Sequence, residues 1–339
     1  MTLPLHDQFP GTKNLAHVTL ACLPTPVEPV PELAQALGIR SFFVKRDDIS
    51  GRVYGGNKVR KLEFLLGHAL AEGRRAVITF GAVGSNHVRA AAVYGGQLGL
   101  KVHAVLAPQP STPYQEANLL ADRAAGATLH FVESYAEALR RGAELRDEIT
   151  LRDGVEPSVI PFGGTNSRGT IGFVNAAIEL AEQIEAGALP EPDLIYVPYG
   201  STGTASGLAI GLAAVGLRTS VVGVRVVPAE STSPARSRRV MEETVALLHE
   251  LDARFPPVKP ESVALEVRDG FLGEGYAAAT AEGLEAVALA EASNMHLETT
   301  YTGKALAALA ADARAGRLIG KTVLFWNTYS SGKLGRQTG

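Results

Sequence analysis

The sequence predicts an α/β protein built on mostly parallel sheet with helices on both faces, and three observations predict it. Short β-rich runs alternate with longer Ala- and Leu-rich runs of helical spacing almost from end to end, the trace that parallel strands and their crossover helices leave. Hydrophobic residues make up 46% of the chain and charged residues 20%, enough apolar material for a packed core and too little charge for a disordered chain. Glycine is in excess, at 36 of 339 residues, as expected where turns bring backbone close to a ligand.

In chain order, the expected strands are Ser41–Lys45, Ala76–Phe80, Val102–Ala107, Thr128–Val132, Asp193–Pro198, Ser220–Val226 and Thr322–Trp326. Helical spacing is clearest over Ala117–Ala125, Gly169–Ala186 and Ala277–Ala292. The Pro-rich stretches Leu23–Pro31 and Phe255–Pro260 read as surface connections. At roughly 150 residues per domain the length suits two domains or one large one. No repeat or low-complexity linker marks a boundary. Ligands of such folds sit at the carboxyl ends of strands, which directs attention to those junctions.

Lysine and arginine total 32 and aspartate and glutamate 35, a net charge of 32 − 35 = −3. That balance offers no electrostatic case for nucleic acid or an anionic membrane. The single Cys22 excludes a disulfide framework within one chain, and no His-x-x-x-His, paired Cys or carboxylate box suggests a metal. The start MTLPLHDQFPG lacks an apolar signal core, so the chain reads as soluble and cytoplasmic.

Four clusters carry chemistry. In KRDDISGRVYGGNKVRKLEFLL, Gly55-Gly56-Asn57 opens a helix after a strand. Asn57 makes a good N-cap, but a plain cap leaves Lys58, Arg60 and Lys61 unexplained in a first turn where the macrodipole disfavours cations. A lysine there is biased toward its neutral, imine-forming amine, and Lys58 is the best placed. In FGAVGSNHVRAAAVYGGQLG, Ser85, Asn86 and His87 start an Ala-rich helix. They make either an ordinary cap or a seat for a carboxylate. Gly-x-Ser-x-Gly is absent around Ser85, which argues against a serine hydrolase. In YVPYGSTGTASGLAIGL, a strand feeds Gly200, Ser201, Thr202, Gly203 and Thr204 into a small-residue helix. The loop is either a tight turn or a cup for a compact phosphate. It carries neither the P-loop lysine nor the dinucleotide glycine spacing. GRLIGKT, from 316 to 322, leads into a strand rather than out of one and is rejected as a nucleotide loop. Near the end stand GEGY and TTYTGKA, with Tyr276 and Tyr301, which alone would be half-buried packing residues.

GGNKVRKLE, GSNHVR, PFGGTNSRGTIGF, GSTGT, GEGY and YTGKA follow one another along most of the chain. In these motifs it resembles the D-cysteine desulfhydrase and 1-aminocyclopropane-1-carboxylate deaminase family. Those enzymes are tryptophan synthase β-like, fold type II pyridoxal-phosphate proteins. The resemblance implies two open, twisted, mostly parallel sheets flanked by helices, with a small domain (58–165) inserted in a large cofactor-binding one (1–57 and 166–339). It also implies pyridoxal 5′-phosphate in the cleft between them, a small amino-acid substrate, and a homodimer without nucleic-acid, membrane or metal partners. Residue by residue, Lys58 matches the lysine that joins the cofactor as an imine. Asn86 matches the residue on the cofactor's phenolic oxygen, and Gly200 to Thr204 match the phosphate cup. Ser85, Asn86 and His87 match positions beside the substrate carboxylate, with Ser85 a proton-transfer candidate. Tyr276 and Tyr301 match two active-site tyrosines, and Thr302 matches the partner of the pyridine nitrogen.

Two positions bear on substrate. Deaminases of the family carry glutamate where this chain has Thr302, so the resemblance favours β-elimination from D-cysteine to pyruvate, hydrogen sulfide and ammonia. The stretch Trp326-Asn327-Thr328-Tyr329-Ser330 aligns with the family's His-Thr-Gly-Gly and keeps only its threonine, Thr328, a substrate-side residue. Tyr329 and Ser330 then add bulk where backbone normally lies against the cofactor ring. Cyclopropane opening, elimination from L-cysteate or another β-substituted amino acid, and a catalytically silent cofactor-binding or amino-acid-sensing protein stand as the alternatives.

Overall fold

The computed structural model describes residues 2–330. Among the described residues ten strands form two sheets: β1 Val27–Pro29, β2 Ser41–Lys45, β3 Ala76–Ala82, β4 Lys101–Ala107, β5 Thr128–Phe131, β6 Ser158–Ile160, β7 Leu194–Tyr199, β8 Ser220–Arg225, β9 Leu265–Arg268 and β10 Thr322–Trp326. The larger sheet has the order β1-β2-β10-β7-β8-β9, and the smaller β5-β4-β3-β6. Every pairing is parallel except β1 with β2. The seven expected strands are all present, with ends shifted by at most two residues.

The Pro-rich stretch Leu23–Pro31 corrects the sequence expectation, because Val27–Pro29 is a strand. It lies at the sheet edge, where proline's missing N–H costs no interior ladder bond. Phe255 likewise lies fully buried in a core cluster rather than on a surface connection. The helix expected over Ala277–Ala292 runs only from Ala281 to Glu291. Thr280 caps it by accepting the Gly283 N–H, and Ala277 stands outside at φ 64°.

Two buried helices, Ser167–Glu185 and Gly203–Ala214, pack on the larger sheet. A Cβ on Gly207 would stand 2.6 Å from the Thr170 carbonyl oxygen, so the close crossing of these helices requires glycine there. Both sheets reverse their winding direction. In the smaller one β4 and β5 lie on one side of β3 and β6 on the other; in the larger one β8 and β9 lie on one side of β7 and β10 on the other. Crevices open at the carboxyl ends of strands at such switch points. The chain leaves β3 into Val83–Ser85, β7 into Gly200–Thr202 and β10 into Asn327–Ser330. No described helix is long and apolar enough to cross a membrane.

Candidate active site

These three loops and the start of the helix Lys58–Ala71 line one cavity of about 680 Å³. The expected site residues Lys58, Ser85, Asn86, His87, Gly200, Ser201, Thr202, Thr204, Tyr276, Tyr301 and Thr328 all line it. Gly203, within the same loop, and Thr302 are not among the lining residues.

The three first-turn cations have three different fates. Lys58 reaches the cavity and donates from Nζ to Asn57 Oδ1 at 2.8 Å. Burial lowers its pKa to about 8, against a smaller opposing pull from Glu298. Arg60 turns away into a buried ionic cluster. It bonds Asp47 at 2.8 Å and Glu179 at 2.9 Å, while Lys45 Nζ reaches Glu179 at 2.6 Å and Trp326 Nε1 donates to Asp47 at 2.8 Å. This cluster ties the start of the Lys58 helix to β2, β10 and the helix Ser167–Glu185. Lys61 points toward the cup, donating to the Gly163 carbonyl at 3.1 Å and Thr165 Oγ1 at 3.0 Å. Burial, with Lys58 and Arg236 adding to it, holds its pKa well below the usual lysine range.

Asn57 occupies the N-cap position without making a cap bond, which corrects the sequence expectation. Its amide is committed to the cavity wall instead: Nδ2 donates to Thr204 Oγ1 at 3.0 Å and Oδ1 holds Lys58. Ser85 does cap its helix, accepting the Val88 N–H at 3.3 Å. His87 bonds Thr79 Oγ1 through Nε2 at 3.0 Å, and its buried Nδ1 has no partner among the described residues. Burial first, then Lys58 and Lys61, holds the ring neutral.

The cup has the features of an anion site. The helix Gly203–Ala214 starts there, with its free N–H groups and positive dipole end. Thr202 sits at φ 73°, a conformation costing about 1–3 kcal/mol in a non-glycine residue. Its buried hydroxyl has no partner among the described residues. A Cβ on Gly203 would stand 2.8 Å from Thr165 Oγ1 and 3.0 Å from Lys61 Nζ. An unfilled hydroxyl donor, a buried lysine amine and a space only glycine leaves open together fit the phosphate of pyridoxal phosphate.

Beside Gly200, where a Cβ would stand 3.5 Å from the Tyr301 ring, Tyr276 and Tyr301 share a hydroxyl–hydroxyl bond of 2.6 Å, and burial pushes both phenols above their usual range. Thr302 borders Glu298. It is fully buried as the first residue of the helix Thr302–Arg314, and its hydroxyl accepts the Glu298 N–H at 3.0 Å. The acidic group that lines the cavity is Glu298, whose carboxylate also accepts the N–H groups of Thr300, Tyr301 and Thr302. Sequence reasoning missed Glu298 and the cup-side role of Lys61. An acid four residues ahead of a helix start and the spacing of Lys58 to Lys61 were the available signals. Tyr329 lines the cavity, whereas Ser330 is used locally, its Oγ accepting the Gly55 N–H at 3.0 Å.

Comparison with known proteins gives the chain its family. Residues 18–328 match the family described as "Pyridoxal-phosphate dependent enzyme". A D-cysteine desulfhydrase of Klebsiella pneumoniae (strain 342) is 37% identical over 291 residues, covering 84% of this chain and 85% of that protein. The crystal structure of an ACC deaminase homologue superposes with a TM-score of 0.83 at 30% identity, covering 97% of this chain and 95% of that one. A threonine deaminase from Solanum lycopersicum shares the fold, with a TM-score of 0.63 at 20% identity over 98% of this chain and 84% of that one. The chain belongs to the pyridoxal-phosphate dependent enzymes, in the group of D-cysteine desulfhydrase and the ACC deaminases.

Proposed function

We propose that this enzyme removes the β-substituent of a small amino acid, with D-cysteine its preferred substrate, and converts it with water to pyruvate, hydrogen sulfide and ammonia. The observation that carries the reading is the sharing of one cavity by the lowered Lys58 amine and the hydrogen-bonded Tyr276–Tyr301 pair. A base and an acid are thereby within reach of one small substrate. The 37% identical desulfhydrase supports the choice of D-cysteine.

Pyridoxal phosphate, when bound, supplies an electron sink for the electrons released at Cα. Lys58 Nζ would hold the cofactor at rest and afterwards move the Cα proton. Lys61, Ser201, Thr202, Thr204 and the N–H groups of Gly200 and Gly203 would hold the phosphate. Asn86 would donate to the ring oxygen, and Ser85, Asn86, His87 and Thr328 would seat the substrate carboxylate. A neutral His87 suits a hydrogen-bonding role rather than that of a charged clamp. The tyrosine pair, its phenols kept protonated, would deliver a proton to the departing sulfur. In this reading residues 58–165 form the small domain, and the enzyme is a cytoplasmic homodimer.

Tyr329 favours one second reading, a β-substituent other than a thiol, because its side chain reshapes the cavity wall where relatives of this kind carry glycine. Release of pyruvate and sulfide from D-cysteine, measured beside L-cysteate and 1-aminocyclopropane-1-carboxylate, tests the choice. Sulfide from D-cysteine at the highest kcat/KM is expected; a clear preference for cysteate would overturn it.

A further inference from the structure

Asn86 enters the cavity with its amide orientation already decided, and the decision originates outside the cavity. Arg89 lies one turn along the same helix, 7% exposed, with its guanidinium carbon 4.6 Å from the centre of the Tyr54 ring. Its Nη1 donates to Asn118 Oδ1 at 2.6 Å. A guanidinium has no acceptor, so Asn118 must turn its oxygen toward Arg89. At its other edge Asn118 Nδ2 donates to the Gly84 carbonyl at 2.8 Å, and a carbonyl can only accept. Both ends of the Asn118 amide are therefore fixed without ambiguity.

The same Asn118 Nδ2 lies 3.2 Å from Asn86 Oδ1, and the Tyr54 hydroxyl donates to that oxygen at 3.2 Å. Two donors on one oxygen turn the remaining polar edge of Asn86, its NH2 group, toward the cavity that this residue lines. We infer that Arg89, Asn118 and Tyr54 are positioning residues that set the hydrogen-bond polarity of Asn86, so that the site offers a donor, and not an acceptor, to the ring oxygen of the cofactor. The inference rests on the cofactor reading above and adds residues that touch neither cofactor nor substrate. Orienting the amide before binding saves the entropy and the misdirected lone pair that a freely flipping asparagine would bring. Asp122 stands beside this relay, 1% exposed; burial pushes its carboxyl up to about 7, with Arg89 opposing.

The test is a double-mutant cycle read as the dissociation constant for pyridoxal 5′-phosphate, by equilibrium dialysis with visible absorbance. Asn118→Asp replaces an amide with a group of the same shape that only accepts, so Asn86 must turn its NH2 group away from the cavity. Binding should weaken roughly tenfold, as expected when a favourable hydrogen bond becomes a clash of lone pairs. In an Asn86→Ala background the same change should matter less than about twofold, because coupling vanishes when the intermediary is gone. Equal weakening in both backgrounds would overturn the inference, since a purely structural effect does not depend on Asn86. Should Asn118→Asp fail to fold, Tyr54→Phe removes one donor without adding charge. It should weaken binding roughly two- to threefold, again only when Asn86 is present, and an equal effect in both backgrounds has the same overturning force. Failure of the unmodified enzyme to bind the cofactor at Lys58 would remove the cofactor reading itself, and this inference with it.

Discussion

The hydroxyl groups of Tyr276 and Tyr301 are 2.6 Å apart, and their rings meet edge to face with centroids 6.0 Å apart. Two phenols joined in this way hold one proton between them and leave one free for a substrate. Tyr276→Phe and Tyr301→Phe should each lower kcat by about a hundred- to a thousandfold, the lower part of the usual range for general acid catalysis. The double variant should fall short of the product of the two, since neighbours in one hydrogen bond are not independent. Full additivity in steady-state kinetics would show that the pair does not act as a unit.

Gly203 leaves the cup open. Gly203→Val would place its Cβ against Thr165 Oγ1 and Lys61 Nζ, an overpacking cost of about 1–3 kcal/mol. Directed at the phosphate space, that corresponds to roughly ten- to a hundredfold weaker cofactor retention. Dialysis of the variant against buffer checks this, and unchanged retention would make the loop a turn and nothing more.

Arg60 neutralises two buried carboxylates. Arg60→Met should cost about 3–5 kcal/mol, because Asp47 and Glu179 would be left buried with too little positive charge. Acid should act on the same cluster. Burial would raise the Glu179 carboxyl, but Arg60 and Lys45 overcome it and hold it at about 2, below its ordinary 4.5. Its contribution is present in full above pH 4.5 and lost as the pH falls toward 2. Denaturant melts across this window should show the loss in the unmodified protein and a shallower one in Arg60→Met.

Capture of the cofactor requires Lys58 as a neutral amine, so its rate should rise with pH through a midpoint near 8 and level off above it. Stopped-flow absorbance on cofactor-stripped enzyme measures this. A midpoint at the ordinary lysine value of 10.5 would mean that the amine is fully solvated.

What the sequence made legible follows from the range of the forces involved. The strand Thr322–Trp326 and the turn at Gly200–Thr204 were readable because β-branched runs, glycines and helix starts act over a few residues. β6 was missed because three residues, Ser158–Ile160, carry too little periodicity. The helix starts at Lys58 and Asn86 were readable as well, but not the direction of each side chain within them. Whether Arg60 or Lys61 serves the cofactor depends on Glu179 and Thr165, more than 100 positions away. Thr302 was readable from its motif, but its hydroxyl bonds to Glu298 were not.

The central claim is that Lys58 carries the cofactor. Borohydride reduction of the enzyme with pyridoxal 5′-phosphate, followed by proteolysis and mass mapping, tests it most directly. A single pyridoxyl group is expected on the peptide containing Lys58, with none on Lys61, whose Nζ is committed to Gly163 and Thr165. A label on Lys61 or any other lysine, or no label at all, would contradict the account.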